Sequence, residues 1–353
     1  MKAAIACKAI ALGLADKGHT IREIPVADGG EGMASALTDS QQGDWIRCEV
    51  ADPLGEIIRA GFGLIDNGTT AVIEMAEASG LDLLGEKVND PWRASTFGTG
   101  QLICEAMDRG VKRVILGIGG SATNDGGTGM AEALGFRFLD SSGSQVSNLP
   151  EFLDGVTRIE FPKQSFPAIT VACDVVNPLL GPEGCTRIYG PQKGILEEDF
   201  EKHEARLQHL AALLDAKDFA DQPGAGAAGG LGFGCLAFTG AKLEPGFDLV
   251  AETLNLEEAI AKADLIITGE GKIDHQSLQG KAPAGVAKLA KKHGKAVIAF
   301  CGVNEAGHAE ELFDEIFEIK RGDLDLEESI KAGPDLLRQT AQNASSQFFG
   351  SGK

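Results

Sequence analysis

The stretch that decides the fold is Val114-Ile115-Leu116-Gly117-Ile118-Gly119-Gly120-Ser121-Ala122-Thr123-Asn124-Asp125-Gly126-Gly127. Its apolar half predicts a buried strand, and residues 129–134 continue as a predicted helix. The glycines between strand and helix let backbone N–H groups converge on an oxyanion at the helix N-terminus. The stretch therefore predicts an α/β fold with an anion-binding turn. The alternative interpretation is a tight strand–helix turn capped by Asp125.

Three other predicted strands also lead into turns that carry glycine or carboxylates. These turns are Asp28-Gly29-Gly30-Glu31-Gly32, Cys173-Asp174-Val175, and Gly269-Glu270-Gly271-Lys272-Ile273-Asp274. Ligands of open α/β sheets bind outside the carboxyl ends of the strands, so this recurrence favours a functional site over ordinary turn chemistry.

The residue types at these turns suit phosphoryl transfer, which uses Mg²⁺ held by a few carboxylates and often a base for the acceptor hydroxyl. We predict Asp174 and Asp28 as base or metal ligand, and Glu270 and Asp274 as metal ligands. The sequence leaves open which carboxylate takes which role. Two lysines in glycine- and proline-containing loops, Lys193 and Lys281, are predicted to stabilise negative charge at the reacting centre.

Two glycine-rich runs are candidate cradles for the phosphates of a nucleotide. Their predicted binding residues are Gly119, Gly120, Ser121, Thr123 and Asn124 in the first run, and Gly224, Gly226, Gly229 and Gly230 in the second. For the second run, close packing through small residues is an equally good interpretation. It also holds the one literal G-x-G-x-x-G, but after a predicted loop rather than a strand, which argues against a nicotinamide dehydrogenase.

The order of predicted elements indicates two domains, as the length of 353 residues also does. A strand at Ile21–Val26 and the alternating strands and helices beyond residue 265 predict a doubly wound, Rossmann-like domain, built from residues 1–45 and 250–353. Residues 46–249 are the predicted inserted mixed α/β domain, which begins with an antiparallel meander. A loop of small residues is expected after Pro223.

Composition excludes several classes of protein. The net charge of −20, from 32 basic and 52 acidic side chains, disfavours nucleic acid and anionic membranes as partners. Seven scattered cysteines without a C-x-x-C pair are typical of reduced thiols rather than disulfides or zinc sites. We therefore predict a cytoplasmic protein without a membrane span; a homo-oligomer is left open.

In sequence, the motifs resemble those of the bacterial glycerate kinase family over nearly the whole chain. They are DGGEG (28–32), GGSATNDGG (119–127), ACDV with NPL (172–179), GPQKG (190–194), GAGAAGG (224–230), GEGKID (269–274) and GKAP (280–283). The resemblance implies two α/β domains and ATP- and Mg²⁺-dependent phosphorylation of D-glycerate. The expected product is 2-phosphoglycerate.

One departure from the family pattern concerns the beginning of the chain. Members usually start with a strand and an Asp-Ser-Phe-Lys loop before the helix that corresponds to Ala6–Leu14, and we expect both to be missing here. The alternative function is therefore a two-lobed protein that binds a hydroxy acid without chemistry.

Overall fold

The computed structural model describes residues 1, 3–15, 19–27, 30, 32–85, 88–274, 282–305, 312–319, 328 and 331–348. The strands are β1 (Asp44–Ala51), β2 (Ile57–Ile65), β3 (Thr70–Glu74), β4 (Arg113–Gly117), β5 (Arg137–Leu139), β6 (Arg158–Glu160), β7 (Ala168–Ala172), β8 (Lys242–Glu244), β9 (Leu265–Ile273), β10 (Ala296–Asn304) and β11 (Glu315–Glu318). The helices are α1 (Ala3–Leu14), α2 (Met33–Ser40), α3 (Ala76–Ser79), α4 (Phe97–Asp108), α5 (Thr128–Ala133), α6 (Leu149–Phe152), α7 (Cys185–Tyr189), α8 (Phe200–Leu213), α9 (Lys217–Ala220), α10 (Ala227–Thr239), α11 (Gly246–Thr253), α12 (Leu256–Lys262), α13 (Ala282–Lys292) and α14 (Gly333–Phe348). Within the described ranges, every helix is too short or too polar to span a bilayer.

The chain divides into two compact units. Unit 1 comprises Met1–Asp28 and Phe247–Lys353, and unit 2 comprises Gly29–Gly246. Helix α2 packs against β2 and β3 and so falls in unit 2. The α/β fold class is confirmed, whereas the predicted domain boundaries near residues 45 and 250 stay a prediction.

Unit 2 is built on a mixed sheet in the strand order β1-β2-β3-β4-β7-β8. Strands β1, β2 and β3 form the antiparallel meander that the sequence predicts, and β3, β4, β7 and β8 run parallel. The turn between β2 and β3 places Asp66 and Asn67 at positive φ, as expected for an Asn-Gly hairpin signal. The parallel strands β3 and β4 anchor the main apolar core: β3 is fully buried, and β4 is buried from Val114 onward. Helices α4 and α5 complete this core.

Unit 1 contains a three-stranded parallel sheet in the order β11-β10-β9. Alternate residues of β10 face opposite layers, as the two-residue period of a strand requires. Val297 and Ala299 pack with α13, whereas Ile298 and Phe300 pack with α1 and α14. Both faces of β10 are therefore covered, which explains its continuous apolar sequence.

The structure corrects three sequence predictions. Residues 21–26 form no strand, because they pair with none of the described strands and Pro25 offers no backbone donor, although Ile24 and Val26 still pack on the core of unit 1. The turn predicted at residues 269–273 is part of β9, which continues to Ile273. Within it, Glu270 lies opposite Cys301 of β10. The loop expected after Pro223 is shorter than predicted: α10 begins at Ala227, is interrupted at positive φ by Ala228, Gly229 and Gly230, and continues as regular helix from Leu231.

Candidate active site

The four parallel strands of unit 2 end at the same level of the sheet. Glu74 at the end of β3 lies opposite Gly117 of β4, Gly117 opposite Ala172 of β7, and Ala172 opposite Glu244 of β8. The loops that follow these strands therefore meet at one edge, where open α/β sheets bind their ligands.

The loop after β4, residues 119–127, is called the first loop; it is exposed where it begins and buried where it ends. Gly119 and Gly120 are exposed, whereas the loop from Ser121 to Asp125 is buried. The neighbouring segment fixes the loop through its backbone, since Ala122 N–H donates to Ser79 O (3.0 Å) and Leu81 N–H donates to Gly120 O (2.8 Å). The predicted cradle is thus a rigid turn with its two glycines at the surface.

Asp125 caps helix α5 from inside the protein. Its carboxylate accepts hydrogen bonds from Gly127 N (3.0 Å), Gly129 N (3.1 Å), and both the N–H and the hydroxyl of Thr96 (2.8 Å each). Burial raises the pKa of Asp125, and these donors counteract the rise. The capping interpretation holds for this residue, because the amides of Gly127 and Gly129 are already bound to its carboxylate.

Lys193 lies beneath this loop rather than at the surface. Its side chain is buried, with 1% of the residue exposed, and its ammonium group donates to Ser121 Oγ (2.6 Å) and Thr123 O (2.8 Å). Burial lowers the pKa of Lys193 from its ordinary 10.5 to about 8, against the opposing influence of Cys185 and Asp125. Lys193 therefore holds two predicted phosphate-binding residues in place and adds positive charge behind them.

The lowered pKa of Lys193 predicts how stability depends on pH. Between about pH 8 and 10.5 the unfolded chain binds a proton that folded Lys193 does not. The free energy of unfolding should therefore rise by on the order of 3 kcal/mol as the pH increases across that window. Below the window, Lys193 should not make it depend on pH. We expect Lys193→Met to flatten this rise in urea unfolding curves recorded at several pH values. Parallel profiles for the wild type and the variant would contradict the assignment.

The segment before α4 supplies further contacts to the same loop. Asn89 donates through Nδ2 to Ala122 O (2.8 Å) and to Lys193 O (2.9 Å), and Asn124 donates to Thr186 Oγ1 (3.1 Å). Three buried oxygens in or beside this loop have no hydrogen-bond partner among the described residues: Asn89 Oδ1, Thr123 Oγ1 and Asn124 Oδ1. Buried polar atoms are normally hydrogen-bonded, so these three oxygens are available to accept hydrogen bonds from water or a ligand.

The second glycine run packs directly on the first loop. Gly126 N–H donates to Gly229 O (3.0 Å), and a Cβ on Gly229 would lie 1.9 Å from Thr123 O. Gly226 N–H donates to Asn177 O (2.9 Å). Gly224, Gly226, Gly229 and Gly230 are all buried. The packing interpretation therefore describes the geometry of this run, and nucleotide contact by these glycines stays a prediction.

Asp174 follows β7 and is exposed at the same edge. Its Oδ1 accepts a hydrogen bond from Gly246 N (2.8 Å), the first residue of α11. The preceding residue, Cys173, lies beside the second glycine run, since a Cβ on Gly224 would come within 2.8 Å of its Sγ. The structure thus brings Asp174, the second glycine run, the first loop and Lys193 into one connected region of unit 2.

Two of the remaining predicted residues belong to unit 1, and the other two are not among the described residues. Glu270 lies within β9 of unit 1, and Asp274 follows that strand, 3.9 Å from the ammonium of Lys272. Asp28 and Lys281 lie outside the described residues. Among the residues that the structure describes, no three His, Cys, Asp or Glu side chains cluster closely enough to hold a metal ion.

The carboxylate of Glu74 also lies at this edge, although it is not among the residues that the motifs predict. It is buried and accepts a hydrogen bond from Met33 N (2.8 Å) at the start of α2. Burial raises the pKa of Glu74, while backbone donors at residues 32–34 lower it. An acid near the end of the β-rich run at residues 69–75 was a usable signal, but that run continues past Glu74 to Met75, so Glu74 looked like part of a strand rather than its end. Asn89 gave no signal, because it follows no strand and belongs to no glycine motif.

Comparison with known proteins identifies the family. The model of the glycerate kinase family matches residues 1–348. The chain is 44% identical over 332 residues to a glycerate kinase of Halalkalibacterium halodurans, covering 91% of this chain and 87% of that protein. It is 42% identical over 330 residues to glycerate 2-kinase of Escherichia coli K12, with 91% and 87% covered. The chain belongs to the glycerate kinase family.

A solved structure supports the same assignment. A crystal structure from Salmonella typhimurium LT2, described as a candidate glycerate kinase 2, matches this glycerate kinase family member with a TM-score of 0.89. The two sequences are 39% identical, and the match covers 99% of this chain and 94% of the other. The resemblance drawn from the motifs is confirmed, as is the α/β fold.

Proposed function

We propose that this chain is a glycerate kinase that transfers the γ-phosphoryl group of ATP to D-glycerate in the presence of Mg²⁺, giving 2-phosphoglycerate. The observation that carries the proposal is the family match over residues 1–348, together with relatives named glycerate kinase and glycerate 2-kinase. The comparisons do not favour the alternative of a non-catalytic hydroxy-acid-binding protein. A cytoplasmic location stays a prediction.

The proposed step forms one bond and breaks one. The 2-hydroxyl oxygen of glycerate bonds to the γ-phosphorus as the bond from that phosphorus to the β,γ-bridging oxygen breaks, and ADP leaves with the electron pair. The hydroxyl proton passes to a carboxylate, for which Asp174 is our candidate because it is exposed at the sheet edge and oriented by Gly246 N–H. Such a base commonly contributes roughly 10²- to 10⁴-fold to the rate.

The first loop is our candidate for phosphate contact. Its exposed glycines, Gly119 and Gly120, let an anionic group approach the backbone, and the buried Lys193 places positive charge directly behind Ser121. A local positive charge matters here because the chain carries a net charge of −20, which repels an anionic substrate. Lys193 acts in this proposal through the loop rather than by touching substrate.

The residues that would hold Mg²⁺ are proposed from chemistry alone. Mg²⁺ binds oxygen ligands and keeps several waters, so one or two carboxylates with phosphate oxygens suffice. Glu270, Asp274 and Asp174 are the candidates among the described residues. When bound, the ion would neutralise charge on the transferring phosphoryl group.

A coupled assay for ADP release tests the proposal. The protein is incubated with ATP and Mg²⁺, with D-glycerate, L-glycerate or no acceptor. We expect ADP formation to depend on D-glycerate and to stop when EDTA removes the metal. Binding of D-glycerate by calorimetry without ADP release would instead identify the binding-protein alternative.

A further inference from the structure

Strand β1 forms one edge of the six-stranded sheet, and among the described residues no strand lies beyond it. It has eight residues, which is longer than the roughly five or six of an average strand. Long edge strands present rows of unpaired backbone groups that other chains can pair with, so proteins usually shorten, bulge or cover them. The open edge of β1 is therefore a candidate interaction surface.

The hydrogen-bond pattern shows which residues of β1 point outward. Asp52 N–H donates to Glu56 O (2.7 Å) in the turn after β1, and antiparallel pairs alternate between bonded and non-bonded. The even-numbered residues of β1 therefore bond to β2, and the odd-numbered ones face the open edge. Ala51 confirms this, since its N–H donates to Gln101 Oε1 (2.7 Å) instead of to β2. The backbone groups of Trp45, Arg47 and Glu49 form the rest of the open edge.

We infer that two copies of this chain associate through antiparallel pairing of their β1 strands about a two-fold axis at Cys48. In this register Arg47 of each copy lies opposite Glu49 of the other, and both residues are outward-facing, so each such pair exchanges two backbone hydrogen bonds. At the centre, Cys48 of one copy lies opposite Cys48 of the other, and this pair exchanges no backbone hydrogen bonds. The six-stranded sheets of the two copies would continue into each other.

Charge selects this register from its neighbours. A two-fold axis at Arg47 would oppose the two arginines, and an axis at Glu49 would oppose the two glutamates; like charges directly opposite are destabilising. Only the axis at Cys48 pairs opposite charges twice. Arg47 and Glu49 are both exposed, and neither makes an ion pair with another described residue.

The neighbouring side chains leave the edge accessible. The indole of Trp45 lies over Gly61 of β2, because a Cβ on Gly61 would come within 2.5 Å of Trp45 Nε1. Trp45 thus leans away from the edge and toward the sheet interior. Since Gln101 already occupies Ala51 N–H, the pairing rests on Arg47 and Glu49 at the centre of the strand. Because the proposed interface includes two exposed ion pairs, the dimer dissociation constant should depend on salt concentration.

Charge reversal tests the proposal in full-length protein by sedimentation velocity across a concentration series. We expect the wild type to dimerise, and Arg47→Glu or Glu49→Arg alone to raise the dimer dissociation constant on the order of 100-fold, because each creates two like-charge pairs. The double variant Arg47→Glu/Glu49→Arg restores opposite charges and should recover most of the affinity. Lys242→Glu is the matched control, since Lys242 is exposed on β8 at the other edge of the same sheet.

The outcomes separate this interface from any other. A wild type that stays monomeric at all concentrations would overturn the inference. So would a dimer that both single reversals leave intact, which would place the contact on a different surface. Failure of the double variant to recover association, with circular dichroism showing both single variants folded, would also contradict the register about Cys48.

Discussion

Asp174→Asn is expected to lower kcat by roughly 10²- to 10⁴-fold, the range that a general base contributes. The substitution removes the ionised oxygen that would take the hydroxyl proton. In the wild type, Gly246 N–H donates to Asp174 Oδ1, and the side-chain oxygen of asparagine can accept the same hydrogen bond. The free energy of unfolding should therefore change by less than about 1 kcal/mol, as at other surface positions whose local bonds are kept.

The matched control is Glu244→Gln, a carboxylate at the end of the adjacent strand β8. Steady-state rates of both variants with D-glycerate and ATP, together with urea unfolding curves, give the comparison. We expect the Glu244 variant to keep kcat within a few-fold of the wild type. Near-normal turnover in Asp174→Asn would remove Asp174 from the mechanism.

Gly229→Ala is expected to destabilise the protein by more than about 4 kcal/mol. Gly229 has φ +66°, and an added Cβ would lie 1.9 Å from Thr123 O in the first loop. That oxygen belongs to the backbone and also accepts from Lys193 Nζ, so it cannot move without disturbing the buried lysine. The methyl group would therefore push the two glycine-rich segments apart.

Gly240→Ala is the matched control, which separates the cost of the clash with Thr123 O from the cost of placing alanine at positive φ. Gly240 has φ +67°, but an added Cβ there meets nothing within 4 Å. It should cost only the roughly 1–2 kcal/mol of a left-handed residue. Thermal and urea unfolding of the two variants measure the difference. If Gly229→Ala were as mild as Gly240→Ala and lowered only ATP affinity, the second run would be a ligand cradle rather than a packing surface.

Local patterns were enough to predict most elements of unit 2. The turn at Cys173-Asp174-Val175, predicted to follow a strand, begins directly after β7, and the antiparallel meander was visible from its Asn-Gly turn. These segments carry their own signals, namely an apolar run with turn residues at its limits. The residues of the first loop were predicted for the same reason, since a strand leads directly into them.

Long-range contacts explain what the sequence could not show. The predicted turn at 269–273 is strand because β10 continues beside it, and a Cβ on Gly269 would lie 2.5 Å from Phe300 O. Gly269 allows the close approach of two strands, and a glycine with that role looks the same in sequence as a turn glycine. Likewise Lys193 was expected to stabilise charge from a loop, but its burial against Ser121 depends on a residue 72 positions away.

The most direct test of the proposed activity is a ³¹P NMR spectrum of the protein with D-glycerate, ATP and Mg²⁺, followed over time. The proposal predicts that the γ-phosphate signal of ATP falls as ADP and one phosphomonoester rise in equal amounts. It also predicts that the phosphomonoester coincides with added 2-phosphoglycerate. A phosphomonoester at the 3-phosphoglycerate position would contradict the assigned acceptor hydroxyl. A spectrum with no phosphomonoester, from folded protein that binds D-glycerate, would contradict the proposed kinase activity itself.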